Sequence, residues 1–237
     1  AAHLMLQQGF ECIGGTMQLL PDATDTTDAE AVARRLNIPF HVFDFRDQFR
    51  CEVMDHFVCA YENGLTPNPC VECNRHLKFG LLLQQALSLN CGHLVTGHYA
   101  KIRHDGWFLL YKAADIGKDQ SYFLYSLTQE QLSHTRFPLG ELTKADVRQI
   151  AEEQGFLNAR KRDSQDICFI PDGDYVEFLQ RYTQKQYPVG DFLDLNGNIV
   201  GQHQGAVRYT LGQRKGLGLA MGAPVYVCAK NMEKNTV

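Results

Sequence analysis

The chain has no run of 18 apolar residues, so no segment is expected to span a membrane as a helix. No charged-then-apolar leader opens it, so no secretion signal is expected. Neither sign of charge dominates: 23 Lys and Arg stand against 27 Asp and Glu, for a net charge of -4. That balance excludes a wholly basic nucleic-acid binder but not a local basic patch. Internal repeats and low-complexity tracts are also missing, which excludes solenoids and repetitive linkers.

What is present is a globular composition. The 237 residues are 44% hydrophobic, enough for one large domain or two smaller ones. Eight cysteines occur: Cys12, Cys51, Cys59, Cys70, Cys73, Cys91, Cys168 and Cys228. In a short secreted chain they would suggest a disulfide framework. In a long, well-cored chain without a leader, reduced thiols are the expectation. Cys12 and Cys228 lie among apolar residues, and Cys51 and Cys59 lie on an expected helix. All four read as small buried hydrophobes. Ala1 to Leu6 reads as mid-helix without a cap, and the last residues read as strand and turn, so the chain is expected to be cut at both ends.

The first half alternates. A helix tail over 1–8 stops at Gly9, and a strand is predicted over 11–14. Helix 27–36, strand 39–45 and helix 47–62 follow, the first with Ala29, Val32, Ala33 and Leu36 on one face. After the turn-rich Gly64 to Pro69, Asn74 is placed as the cap of a helix over 75–89, then a strand over 93–96. This alternation predicts βαβ units and a doubly wound parallel sheet. Residues 101–112 read as a hairpin turning at Asp105-Gly106. Thr143 to Asp146 reads as a capping box for a helix ending near Gly155, and Asp172 as the cap of a helix through Tyr182. From Pro188 onward glycine and β-formers dominate, with a turn at Asn196-Gly197. The expected division is 1–183 and 184–237.

Five segments carry chemistry. In Asn68-Pro69-Cys70-Val71-Glu72-Cys73-Asn74 the prolines rigidify the approach, and Cys73 is expected at a helix N-terminus, where a thiol ionises more readily. The C-x-x-C spacing alone fits a redox dithiol, half a zinc site, part of an iron–sulfur site, or coincidence. No second C-x-x-C or His pair follows at finger spacing, which disfavours zinc. Cys168, in Ser164 to Ile170, follows the charged Arg160-Lys161-Arg162-Asp163, whose cations favour a thiolate; a buried strand cysteine is the alternative. Val95-Thr96-Gly97-His98-Tyr99 puts Gly97 and His98 at a strand's carboxyl edge, where open α/β sheets bind nucleotides. Lys118, Asp119 and Gln120 offer a phosphate contact and base-edge groups, or simple caps. His203, Arg208, Arg214 and Lys215 stand among glycines, as an RNA backbone contact or as a solvated loop.

Together these segments resemble the tRNA-specific 2-thiouridylases, which thiolate the wobble uridine of certain tRNAs. The matching stretches are Thr66 to Pro69 with Cys73-Asn74 and Lys78-Phe79, then Thr96 to Ala100, Lys118 to Phe123, Phe137 to Gly140, Ser164 to Phe169, and Gly201 with His203 through Gly218. The resemblance implies an α/β fold: a PP-loop ATP-pyrophosphatase domain of adenine nucleotide alpha hydrolase type, a small central β-rich domain, and a C-terminal β-barrel not in this chain. It implies ATP and magnesium, adenylation of uracil O2, and delivery of sulfur to C2 from a cysteine persulfide. Cys168 would carry the persulfide, and Cys73 would be the nucleophile that can close a disulfide with it. Met17 and Gly97 would contact ATP. Asn68, Pro69 and Cys70 would meet the flipped-out base. His98, Lys118, Asp119 and Gln120 would contact tRNA. The implied partners are tRNAs for lysine, glutamate and glutamine and a persulfide-donor protein. The implied compartment is the bacterial cytoplasm, with an organelle also fitting.

Two departures qualify this. The family's S-G-G-x-D-S phosphate loop would lie before Ala1, and residues 1–237 alone are not expected to hydrolyse ATP. Cys70 stands where many relatives have Asp, so Cys70, Cys73 and Cys168 are a candidate thiolate set for an iron–sulfur cluster. Rival readings are an iron–sulfur version of the same thiolation, another adenylating PP-loop ligase, and a non-catalytic RNA-binding or redox protein.

Overall fold

A computed structural model describes residues 1–21, 26–156, 159 and 167–237. The fold is mixed α/β. The chain divides into two compact units, Ala1–Val53 with Cys70–Ser164, and Met54–Pro69 with Gln165–Val237. That residues 54–69 join the C-terminal part has no signature in local sequence.

In the first unit, the helix Ala2–Gln7 ends before Gly9, whose φ of +84° suits glycine. Strand β1 (Gly14–Gln18) starts where the predicted strand ended, and pairs in parallel with β2 (Phe40–Asp44) from Gly14 opposite Phe40 to Gln18 opposite Asp44. The glycines explain the shift. A Cβ on Gly14 would come within 3.1 Å of the Phe40 ring and 3.3 Å of Ala33, so their bareness lets helix Thr27–Arg35 sit close on the strand. β3 (Leu94–Val95) pairs in parallel with β6 (Thr135–Arg136). The described residues therefore hold two parallel pairs, a coarser arrangement than the single doubly wound sheet read from the sequence.

β4 (Ala100–Asp105) and β5 (Trp107–Lys112) form the predicted hairpin around Gly106, φ +71°. Its inner face delivers Ile102, Phe108 and Leu110 to a core of Phe79, Leu83, Leu94, Leu124, Leu132 and Phe137. Each such side chain contributes about 1.5–3 kcal/mol by leaving water. Thr143 caps helix Lys144–Glu153 with a full capping box, as its sequence predicts.

The second unit is built on rings. Phe57 meets Phe169 edge-on at 5.3 Å, and Tyr61 stacks on Tyr175 at 4.6 Å. Burial, then the neighbouring Tyr175, pushes the Tyr61 hydroxyl up to about 12. Lys185 reaches the Glu62 carboxylate at 2.7 Å. Helix Tyr175–Thr183 is capped by Asp174, which accepts from Val176 and Glu177 N–H. This corrects the expectation of Asp172, which instead accepts from the Asp174 N–H. β7 (Gly190–Leu193) and β8 (Ile199–His203) pair antiparallel. The cysteine expectation fails in part: Cys51, Cys59 and Cys228 are exposed and Cys12 is half-buried. Local apolar neighbours do not decide which way one small side chain points.

Candidate functional site

The Asn68 to Asn74 segment sits at the start of a helical run over 69–88. It opens with an α-turn, Pro69–Glu72, widens to i→i+5 winding over Cys73–Leu82, and closes as α-helix Leu83–Ser88. Proline is favoured at a first helical position, because its missing N–H would have no partner there. Helix formation therefore begins at Pro69, and the expectations for Asn74 and Cys73 are corrected. Asn74 is inside the helix, not its cap, and Cys73 lies a full turn from the start. Wide winding of this kind is rare and concentrates at functional sites. It brings the Arg75 carbonyl to 3.1 Å from where a Cβ on Gly80 would stand, so only glycine leaves that carbonyl undisturbed.

This run buries Cys73 (9% exposed), Asn74 (2%), Leu77 (0%) and Phe79 (1%). Asn74 Nδ2 donates to the Phe123 carbonyl at 3.3 Å, while its Oδ1 is buried with no hydrogen-bond partner among the described residues. A buried acceptor left without a partner costs about 1–3 kcal/mol, and this one belongs to the residue that follows Cys73.

His98 follows β3 and faces the same helix. Its ring lies 5.7 Å from Phe79 and 5.8 Å from Phe137, and Thr96 Oγ1 meets its Nδ1 at 2.8 Å. Burial, then the Lys78 ammonium, drives its pKa down to about 3. His98 is thus a neutral imidazole near pH 7, able to hydrogen-bond but not to offer a phosphate a positive charge. Burial also raises the Cys70 thiol, with Lys78 opposing. Lys78 acts on both groups, although the sequence reading gave it no role. Its only signal was its place in the Lys78-Phe79 stretch.

Phe137-Pro-Leu-Gly140 proves to be the floor of this region. Leu139 Cδ1 lies 3.6 Å from a would-be Cβ on Gly97, and a Cβ on Gly140 would run into the Ala100 carbonyl. Gly97 itself is exposed, and Met17 is half-buried near the end of β1.

The 118–120 turn is braced from within. Asp119 accepts from the Ala113 N–H at 2.8 Å and from Ser121 Oγ at 2.7 Å. Gln120 Oε1 accepts from the Tyr99 N–H at 3.0 Å, leaving Lys118 as the exposed cation.

In the second unit, Asn68 is exposed and Pro69 buried. Cys168 is exposed on a turn closed by Ile170 N–H donating to the Ile167 carbonyl at 2.8 Å. Its neighbours Phe169 and Ile170 are buried and anchor that turn. The expected strand cysteine is therefore a turn cysteine. Arg160 to Asp163 and Ser164 to Asp166 lie outside the described residues. His203 is corrected too. It is fully buried, Nδ1 accepts from the Gly205 N–H at 3.1 Å, and burial lowers its pKa, so it adds no charge to the exposed Arg208, Arg214 and Lys215. Among the described residues no three His, Cys, Asp or Glu groups are arranged to hold a metal ion, so the iron–sulfur expectation for Cys70, Cys73 and Cys168 finds no support.

The tRNA methyl transferase HUP domain profile matches residues 1–172, and the tRNA methyl transferase PRC-barrel domain profile matches 176–237. The tRNA-specific 2-thiouridylase MnmA of Treponema denticola is 49% identical over 250 residues, covering 100% of this chain and 68% of the relative. Those of Moorella thermoacetica and Lachnoclostridium phytofermentans are each 46% identical over 253 residues, covering 100% of this chain and 71% of each relative. The chain belongs to the tRNA-specific 2-thiouridylase family.

Proposed function

We propose that this protein is a tRNA-uridine 2-sulfurtransferase that replaces O2 of a wobble uridine by sulfur, with ATP converted to AMP and pyrophosphate. The observation that carries the reading is the buried Cys73 on a wide-wound helical segment, beside Cys70, Lys78 and the neutral His98. The naming of the relatives as 2-thiouridylases supports a sulfur-transfer role for this chain.

The residues divide the work. Cys168, exposed on its turn, is accessible to a donor protein and carries the persulfide. Its terminal sulfur attacks C2 of the uracil. The Cys73 thiolate then attacks the Cys168 Sγ: a Cys73–Cys168 disulfide forms as the persulfide S–S bond breaks, the electron pair stays on the sulfur now bonded to C2, and AMP leaves C2 with the former O2. Asn68, Pro69 and Cys70 meet the extruded base, and Asn74 Oδ1 offers an acceptor to the uracil N3–H. Lys118 contacts tRNA phosphate, with Asp119 and Gln120 holding its turn. His98 contacts tRNA as a neutral imidazole.

Gly97 leaves backbone open to a ligand at the β3 edge and Met17 lies near the β1 edge, an arrangement that fits the adenosine part of ATP. When bound, ATP supplies the adenylyl group that makes the uracil O2 a leaving group. Magnesium would enter on the ATP phosphates. We extend the two parallel pairs to one doubly wound PP-loop sheet, followed from residue 184 by the smaller β-rich part, in a protein of the bacterial cytoplasm.

The test is product stoichiometry. AMP release should depend on tRNA bearing an unmodified wobble uridine and match 2-thiouridine formed one for one. AMP release that ignores tRNA would assign the chemistry to a small-molecule ligase instead.

A further inference from the structure

The hairpin β4–β5 has an outer face that none of the chemistry above uses. In register, Lys101 stands opposite Tyr111, Arg103 opposite Leu109, and Asp105 opposite Trp107. Opposed residues share a face and side chains alternate along a strand, so these six make one surface. The inner face is spent on the core through Ile102, Phe108 and Leu110. The outer face is open: Trp107 is 67% exposed, Tyr111 41% and Leu109 39%. The Arg103 guanidinium lies over the Tyr111 ring at 5.2 Å.

Two features narrow what this face can receive. The free edge of β5 is closed by Gln129, whose side-chain amide accepts from Phe108 N–H and donates to Phe108 C=O, both at 2.8 Å. A partner therefore meets rings rather than an open strand edge at that point. Charge is the second feature. The face carries Lys101 and Arg103 against Asp105, while Lys112, opposite Ala100, belongs to the other face. Lys101 shares its charge with Glu141 at 3.3 Å, while Arg103 is exposed. At the end of β5 the Ala113 N–H donates to Asp119, which holds the turn that carries the exposed Lys118.

We propose that this face docks an unpaired stretch of the tRNA, with bases stacking on Trp107 and Tyr111 and phosphates meeting Arg103 and, beyond the end of the hairpin, Lys118. Exposed aromatic planes interleaved with cations are how sequence-tolerant single-strand contacts are made. Trp107 and Tyr111 stand roughly 13 Å apart along the strand, with Leu109 between them to meet a sugar edge. Trp, Tyr and Arg also mark protein-binding hot spots; the Arg103 cation set against the Tyr111 ring, in a tRNA-modifying enzyme, favours RNA. The proposal rests on reading the protein as a tRNA-modifying enzyme.

Trp107 is the only tryptophan in the chain, so its emission reports this face alone. Titration with unmodified tRNA transcript should change that emission saturably and shield Trp107 from acrylamide. Arg103→Gln should weaken tRNA affinity about three- to tenfold and lower the slope of log affinity against log salt by about one. Trp107→Ala and Tyr111→Ala, checked for folding by circular dichroism and for affinity by filter retention, should raise KM for tRNA and leave kcat in place. The proposal is overturned if tRNA is retained on the filter while Trp107 emission stays unmoved, or if all three variants bind like wild type. A Trp107 response to a persulfide-donor protein but not to tRNA would assign the face to a protein and overturn it equally. Failure of tRNA to bind at all would sink the enzyme reading with it.

Discussion

His98 is held neutral by its surroundings, and this has a measurable consequence. A histidine in an unfolded chain titrates near 6.5, whereas native His98 is pushed down to about 3. Between those values the unfolded chain binds a proton that the native state refuses. The stability is fully present above about pH 6.5 and is lost as pH falls, by up to about 1.4 kcal/mol per pH unit. His98→Gln should therefore flatten the dependence of the urea midpoint on pH across that window; a slope equal to wild type would contradict the account. Lys78 is the second residue with a signature. Lys78→Met removes the cation that opposes burial at Cys70, so the alkylation profile of Cys70, followed by peptide mass spectrometry, should move to higher pH. The Asn68 to Asn74 segment singles out Cys73 in the sequence, because prolines and spaced thiols are local facts. Lys78 was not, because its reach to Cys70 and His98 depends on how a helix is wound and what packs beside it.

Helix starts show the same division one level up. The box at Thr143 is legible because both of its partners lie within four residues, and the structure forms both hydrogen bonds. Asp172 and Asp174 both look like caps, and the turn at Gly173, φ +74°, decides for Asp174. Thr143→Ala and Asp174→Ala should each cost about 1 kcal/mol, a fall of about 2–4 °C in Tm for a chain of this size. Asp172→Ala should cost less than Asp174→Ala. The 69–88 run began six residues earlier than its predicted start because Pro69 was read as a breaker when it stands at a helix's first position. Its wide turn over Cys73–Leu82 has no pattern to find, since amphipathic periodicity assumes ordinary α-helical winding.

For the whole molecule, the alternation of helix and strand was readable, and so was the hairpin at Asp105-Gly106. Strand partnership was harder: β1 with β2 is a neighbour pairing, but β3 with β6 joins strands 40 residues apart with a hairpin between them. Nor does composition reveal that residues 54–69 group with the C-terminal part, since Phe57 and Tyr61 find Phe169 and Tyr175 across more than 100 residues of chain. Function was legible because family segments recur in order along the whole chain, a signal no single segment carries. The most direct test of the central claim is 2-thiouridine in tRNA, read by mass spectrometry, with the natural protein, ATP, magnesium and a persulfide donor, in an iron-free preparation. The account predicts 2-thiouridine from the wild type and none from Cys73→Ser or Cys168→Ser, with tRNA affinity retained in both. Full thiolation by either variant, or thiolation only after iron is restored, would contradict it.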